Sequence, residues 1–169
     1  MSPEIAALLA ELRHGHDGDP WHGPSRNHVL ADVTVEEASR QPEGDAHGIW
    51  AITLHMSSWT REVAQRLGGR RPRMPDDGDW PPVPAPSATS WDDTRRSLDA
   101  AHEELASALR TFPPERLDER VGTDRDAPLG AGVTYRAMLH GLAHHDAYHT
   151  GQISILLRLY RRPELRSES

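Results

Sequence analysis

Four segments of this chain carry apolar residues at spacings of three and four, which place those residues on one face of an α-helix. In the first segment the apolar positions are Ile5, Leu8, Leu9 and Leu12, and the pattern stops near Gly15. The other three segments run from about His47 to Leu67, from Ser90 to Pro113 and from Thr134 to about Arg161. The sequence shows neither the alternation of a β-strand nor an internal repeat. The pattern therefore predicts an all-α fold, a four-helix bundle in which each helix buries its apolar face against the others.

Residues that begin or end helices flank these segments. Thr34 and Glu37 form a capping box for a short additional helix that ends at Pro42. Gly68 and Gly69 follow the second long helix, and Ser90 with Asp93 is expected to cap the third. Residues 70–89 contain six prolines and are predicted to form a semi-rigid crossover that could span a bundle. We expect one domain over residues 1–169 with long crossover connections.

Composition removes several kinds of chemistry. The chain has 169 residues and no cysteine, and all 19 of its Lys and Arg residues are arginine. Disulfides, thiolate zinc sites, a cysteine nucleophile, a Schiff-base lysine and a P-loop lysine are therefore excluded. The net charge is −7 with the arginines scattered among 26 acidic residues, so nucleic-acid binding is not expected. Because no apolar stretch approaches the roughly 20 residues of a membrane span, and residues 1–12 do not resemble a signal peptide, we expect a soluble cytoplasmic protein.

The segment HHDAYHTGQ, residues 144–152, concentrates three histidines on the fourth helix. At about 100° per residue, His145 and His149 lie within about 40° of one another on the apolar arc. His140 and His144 lie on the opposite side and are predicted to be surface residues. Histidines at i and i+4 can converge on one ion. The alternative is a pair of buried histidines satisfied by hydrogen bonds, which needs more partners than a bundle core readily supplies.

His55 supplies a third candidate from another helix. It lies three residues after Ile52 and four before Trp59, within the apolar stripe of the second long helix. Taken alone, it could be a buried, hydrogen-bonded histidine. Together with His145 and His149 it would form a three-histidine set that leaves coordination positions open, which is typical of catalytic zinc sites.

Three further residues are candidates for a catalytic role. Asp146 faces inward and could orient a ligand histidine or act as a base, although a structural pairing with an arginine or a neighbouring backbone amide is favoured. Gln152 could hydrogen-bond a ligand or a substrate. His22, with Trp21 in WHGPS, could reach over the mouth of the site; a packing tryptophan beside an exposed histidine is the commoner arrangement.

The remaining histidines and tryptophans are assigned structural or surface positions. Because they have no partner at ligand spacing, five histidines are predicted at the surface: His14, His16, His28, His47 and His102. Trp59 is predicted in the core, and Trp80 and Trp91 are expected to anchor the crossover.

The combination of HGIWAITLHMSSWTREV on one helix and HHDAYHTGQISIL on the last resembles the DinB-like (YfiT-like) superfamily of metal-binding four-helix bundles. The resemblance covers nearly the whole chain, including WHGPS and TVEEA. It implies an up-down-down-up bundle, usually dimeric, that binds one divalent metal through three histidines, which match His55, His145 and His149. Members include transferases that use low-molecular-weight thiols, a thiol-dependent isomerase of maleylpyruvate and proteins with no known reaction.

Two classes of function follow. The first is a metal-dependent enzyme acting on a small molecule, because an open ion activates a bound water or thiol. Thiol S-transfer is favoured over hydrolysis, since a thiolate is the better nucleophile near neutral pH and relatives use such thiols. The second class is a non-catalytic, metal-binding, stress-associated protein. Three imidazoles suit zinc or nickel, and copper or iron(II) could also bind.

Overall fold

Four helices of this protein begin at a capping side chain, which is that of Ser2, Thr34, Ser87 or Thr134. In the computed structural model, which describes residues 1–122, 129 and 132–162, the long helices are α1 (Pro3–His16), α4 (Ile49–Leu67), α5 (Ala88–Arg110) and α6 (Tyr135–Tyr160). The short ones are α2 (Arg26–Ala31), α3 (Val35–Ser39) and a 3-10 turn (Pro114–Arg116). Within those described ranges there is no β-strand, and an isolated bridge pairs Arg120 with Thr134. The all-α prediction is confirmed.

Reciprocal caps explain two of the helix starts. Thr34 Oγ1 accepts a hydrogen bond from the Glu37 backbone at 3.2 Å, and Glu37 accepts one from the Thr34 backbone at 3.0 Å, as the predicted capping box requires. The predicted start of α5 at Ser90 is wrong. Ser87 and Ser90 cap each other's backbone N–H groups, so α5 begins at Ala88, and Asp93 pairs with Arg96 instead. The short helix α2 was not predicted from the sequence.

The long helices pack around two apolar clusters. The contacts join α4 to α5 and α6, and α1 to α5 and α6. Trp50 anchors one cluster: its ring is fully buried, meets Trp91 edge-on, and donates a hydrogen bond to Thr94 at 2.9 Å. The other cluster contains Leu8 of α1 and Leu139 of α6. Trp50 near the start of α4 contacts Thr94 near the start of α5, and Arg61, later in α4, contacts Glu104, later in α5. These two helices therefore run parallel, as a long connection permits.

A polar layer separates the two clusters on α5 and α6. On α6, residues 145–149 lie between apolar positions of the two clusters, and on α5 His102 lies between Leu98 and Leu105. The prediction that His16 and His102 are surface residues is wrong. Both are buried, and their rings stack with centroids 3.8 Å apart. The helical period already places His102 on the inward face, and it was assigned to the surface only because it has no ligand partner.

None of the described helices combines the length and the apolar character of a transmembrane span.

Candidate metal centre

The fold brings three histidines from two helices to one point in the polar layer. The ligand atoms of His55 on α4 and of His145 and His149 on α6 all lie within 4.8 Å of one another. His55 Nε2 and His145 Nε2 are 2.9 Å apart. Two nitrogens bound at right angles to one ion, each at about 2.0–2.1 Å, would be about 2.9 Å apart. The two nitrogens are therefore close enough to bind one ion, and 2.9 Å is also the length of a hydrogen bond between them.

Two of the three rings are oriented by acceptors on their other nitrogen. His55 Nδ1 donates to the backbone oxygen of Asp79 at 2.6 Å, and His149 Nδ1 donates to Gln152 Oε1 at 2.6 Å. Because both partners can only accept, each Nδ1 carries the proton and each Nε2 has a free lone pair. Acceptors of this kind fix the tautomer and the ring plane of a metal-binding histidine.

The third ring provides an independent indication that the site suits a cation. His145 Nδ1 and Asp146 Oδ1 are buried, 3.7 Å apart, and without a hydrogen-bond partner among the described residues. They complement each other only when Nδ1 carries the proton, which leaves Nε2 of His145 available to bind an ion. The donor set thus fits one divalent metal.

Burial favours the neutral form of the His55 and His149 imidazoles. Desolvation is the main cause that lowers the pKa of His55. It also lowers the pKa of His149, to about 4, and the nearby His145 ring adds to both shifts. A neutral imidazole is the form that binds a metal.

Two cavities open beside the histidines. The larger, about 590 Å³, has walls that include Trp59, Met138 and Leu142. The smaller, about 420 Å³, is lined by residues that include Ile52 and Leu156. The walls of both cavities share three residues: Trp80, Tyr148 and His149. The two mainly apolar cavities therefore meet at His149, and the larger one also reaches His55 and His145.

Sequence reasoning missed two site residues, both in the proline-rich connection. Trp80 was expected to anchor the crossover, but its ring stacks on His55 at 4.0 Å and on His47 at 3.4 Å. The Asp79 carboxylate accepts a hydrogen bond from Trp59 Nε1 at 2.7 Å, in addition to the backbone contact with His55. Trp59, predicted in the core, is half-buried at the cavity wall. The sequence signal for these two residues is a tryptophan that lies in a proline-rich loop, outside any helical pattern.

The remaining candidates are distributed as follows. Asp146 pairs with Arg26 at 2.9 Å, the arrangement that the sequence favoured. Trp21 and His22 are exposed, and neither lines a cavity beside the histidines. The loop WHGPS therefore forms no wall over the site: His22 is exposed, which is the commoner arrangement, while Trp21 is exposed rather than packed. His144 is exposed, as predicted.

A comparison with protein families finds that a model described as the DinB superfamily matches residues 26–153. Comparisons with curated proteins and with solved structures found no match. The matched region runs from α2 into α6 and includes all three histidines. Because it covers well over half of the 169 residues, the chain belongs to the DinB superfamily.

Proposed function

We propose that this protein is a metal-dependent S-transferase that joins a low-molecular-weight thiol to a small apolar electrophile. The observation that carries the proposal is the pair of cavities meeting at His149 and Trp80. A transferase needs room for two organic substrates beside one centre, whereas hydrolysis needs room for one substrate and a water. His55, His145 and His149 would hold one divalent ion, zinc or nickel, whose Lewis acidity lowers the pKa of a thiol.

The two compartments differ in the groups they offer. The larger one is lined mostly by apolar and aromatic side chains, which suit the electrophile, together with Arg66, Asp79 and the three histidines. The smaller one adds the polar side chains of His47 and Gln152, which suit the polar body of a thiol cosubstrate. With neither cysteine nor lysine in the chain, the thiol cosubstrate itself is the nucleophile.

The reaction balances without a further reagent. The sulfur forms a bond to the electrophilic carbon while the bond from that carbon to its leaving group breaks, and the leaving group departs with the electron pair. The thiol proton goes to the leaving group or to solvent. Trp80 and Tyr148, which border both cavities, would hold the two substrates at the same point.

The test uses protein loaded with zinc or nickel. It is incubated with a small thiol and an activated alkyl or aryl electrophile, and the conjugate is measured by mass spectrometry. A parallel set contains esters and amides without thiol. We expect a conjugate from the wild type and from His144→Ala, whose residue is exposed, and none from His149→Ala. Metal-dependent hydrolysis in the set without thiol would show that the reaction is hydrolysis and not transfer. No product in either set would favour a non-catalytic metal-binding protein.

A further inference from the structure

A buried arginine contacts the carboxylate that follows one of the ligand candidates. Arg26 is the first residue of α2, which packs against α6, and it is 1% exposed. Its Nη1 donates to Asp146 Oδ2 at 2.9 Å, and its Nη2 donates to Nδ1 of His16. Its Nε has no hydrogen-bond partner among the described residues. Burying a guanidinium is costly even when it is paired, so stability alone gives no reason for this arrangement.

The two oxygens of Asp146 have different surroundings. Oδ2 accepts from Arg26, while Oδ1 is buried, lacks a partner in the described structure and lies 3.7 Å from His145 Nδ1. His145 Nδ1 is in the same condition. The carboxylate therefore has one oxygen held by α2 and the other free to accept a proton donor from the ligand ring.

The other two ligand candidates show what this contact would do. Each has an acceptor on Nδ1, the backbone oxygen of Asp79 for His55 and Gln152 Oε1 for His149. Asp146 differs because it directly follows His145, and successive residues on a helix do not face each other. A group outside α6 is needed to turn this carboxylate towards the ring, and Arg26 is that group.

We infer that Arg26 is a positioning residue for the metal centre, which holds Asp146 so that its carboxylate fixes His145 with Nε2 towards the ion. The inference rests on the metal binding within the proposed function and does not depend on thiol transfer. It assigns a role to α2, which contributes no ligand.

Metal affinity tests the inference directly. We expect competition against a chromophoric chelator to give zinc affinities about 10- to 100-fold weaker for Arg26→Gln and for Asp146→Asn than for the wild type. If Arg26 acts through Asp146, the double variant will be no weaker than the weaker single variant. Asn27→Ala is the matched control, because Asn27 is the next residue of α2 and its side chain contacts His16 and Asp99 rather than Asp146. It should leave affinity unchanged.

A spectroscopic measurement separates positioning from general destabilisation. With cobalt(II) in place of zinc, Arg26→Gln should shift or weaken the visible absorption bands at saturating metal, while Asn27→Ala should not. Nitrogen NMR of the zinc-loaded wild type should show a protonated Nδ1 and a metal-bound Nε2 for His145. This last measurement requires no variant to fold, and coordination through His145 Nδ1 would overturn the inference.

The outcomes also separate this inference from the proposed reaction. If Arg26→Gln binds zinc as tightly as the wild type does, the positioning role is overturned and the proposed thiol transfer is not affected. Weaker affinity in Arg26→Gln, with no conjugate formed by the wild type, overturns the reaction and supports the positioning role. A wild type that binds none of the metals overturns both.

Discussion

The stacked pair His16 and His102 should make the stability of the metal-free protein depend on pH. Both rings are buried in the polar layer, and burial is the main cause that lowers each pKa from 6.5 to about 4. The nearby Arg26 guanidinium adds to both shifts. His16 Nδ1 accepts from Arg26 only while it is unprotonated, so protonation removes a hydrogen bond and places two cations in contact.

The direction follows from which state binds more protons. Between pH 6.5 and about 4 the unfolded chain holds protons on these histidines that the folded protein does not. Their contribution to stability is therefore complete above pH 6.5 and is lost progressively as the pH falls towards 4. At pH 5 the pKa difference alone corresponds to about 2 kcal/mol for each histidine. Because both rings line an open cavity of about 760 Å³, solvent screening reduces this to roughly 1 kcal/mol each.

Urea unfolding of the metal-free protein at pH 7.5 and pH 5.0 measures the effect. The variant His102→Phe keeps a stacking ring and removes one titrating group, so its loss of stability between the two pH values should be smaller than that of the wild type by roughly 1 kcal/mol. His28→Phe, at an exposed position, is the control for the loss of one histidine. An equal pH dependence in the wild type and His102→Phe would refute the reasoning.

Two further predictions test individual contacts. Trp80→Ala removes the ring stacked on His55 and should lower the free energy of unfolding by about 1 kcal/mol. Its zinc affinity should stay close to that of the wild type, because the Asp79 backbone still orients His55. A loss of affinity as large as that of His149→Ala would contradict this. Thr34→Ala breaks the capping box of α3 and should cost about 1 kcal/mol in urea unfolding, and no change would show that α3 does not depend on its cap.

The sequence alone was enough to predict the long helices and the three histidines that the fold brings together. Apolar positions at spacings of three and four placed α1, α4 and α6 within a few residues of their observed ends, because each helix must bury one face. The same period gave the phase of His145 and His149 on α6 and of His55 on α4. The capping box at Thr34 was also legible, since it is formed within four residues.

Tertiary structure decided what surrounds the histidines. Period fixes the face of a helix on which a residue lies, but not which loop or neighbouring helix covers that face. The contacts of Asp79 and Trp80 depend on the path of a connection with no periodic pattern, so the sequence could not place them on His55. Arg26 likewise reaches Asp146 across 120 residues of sequence, and only the packing of α2 against α6 brings the two side chains together.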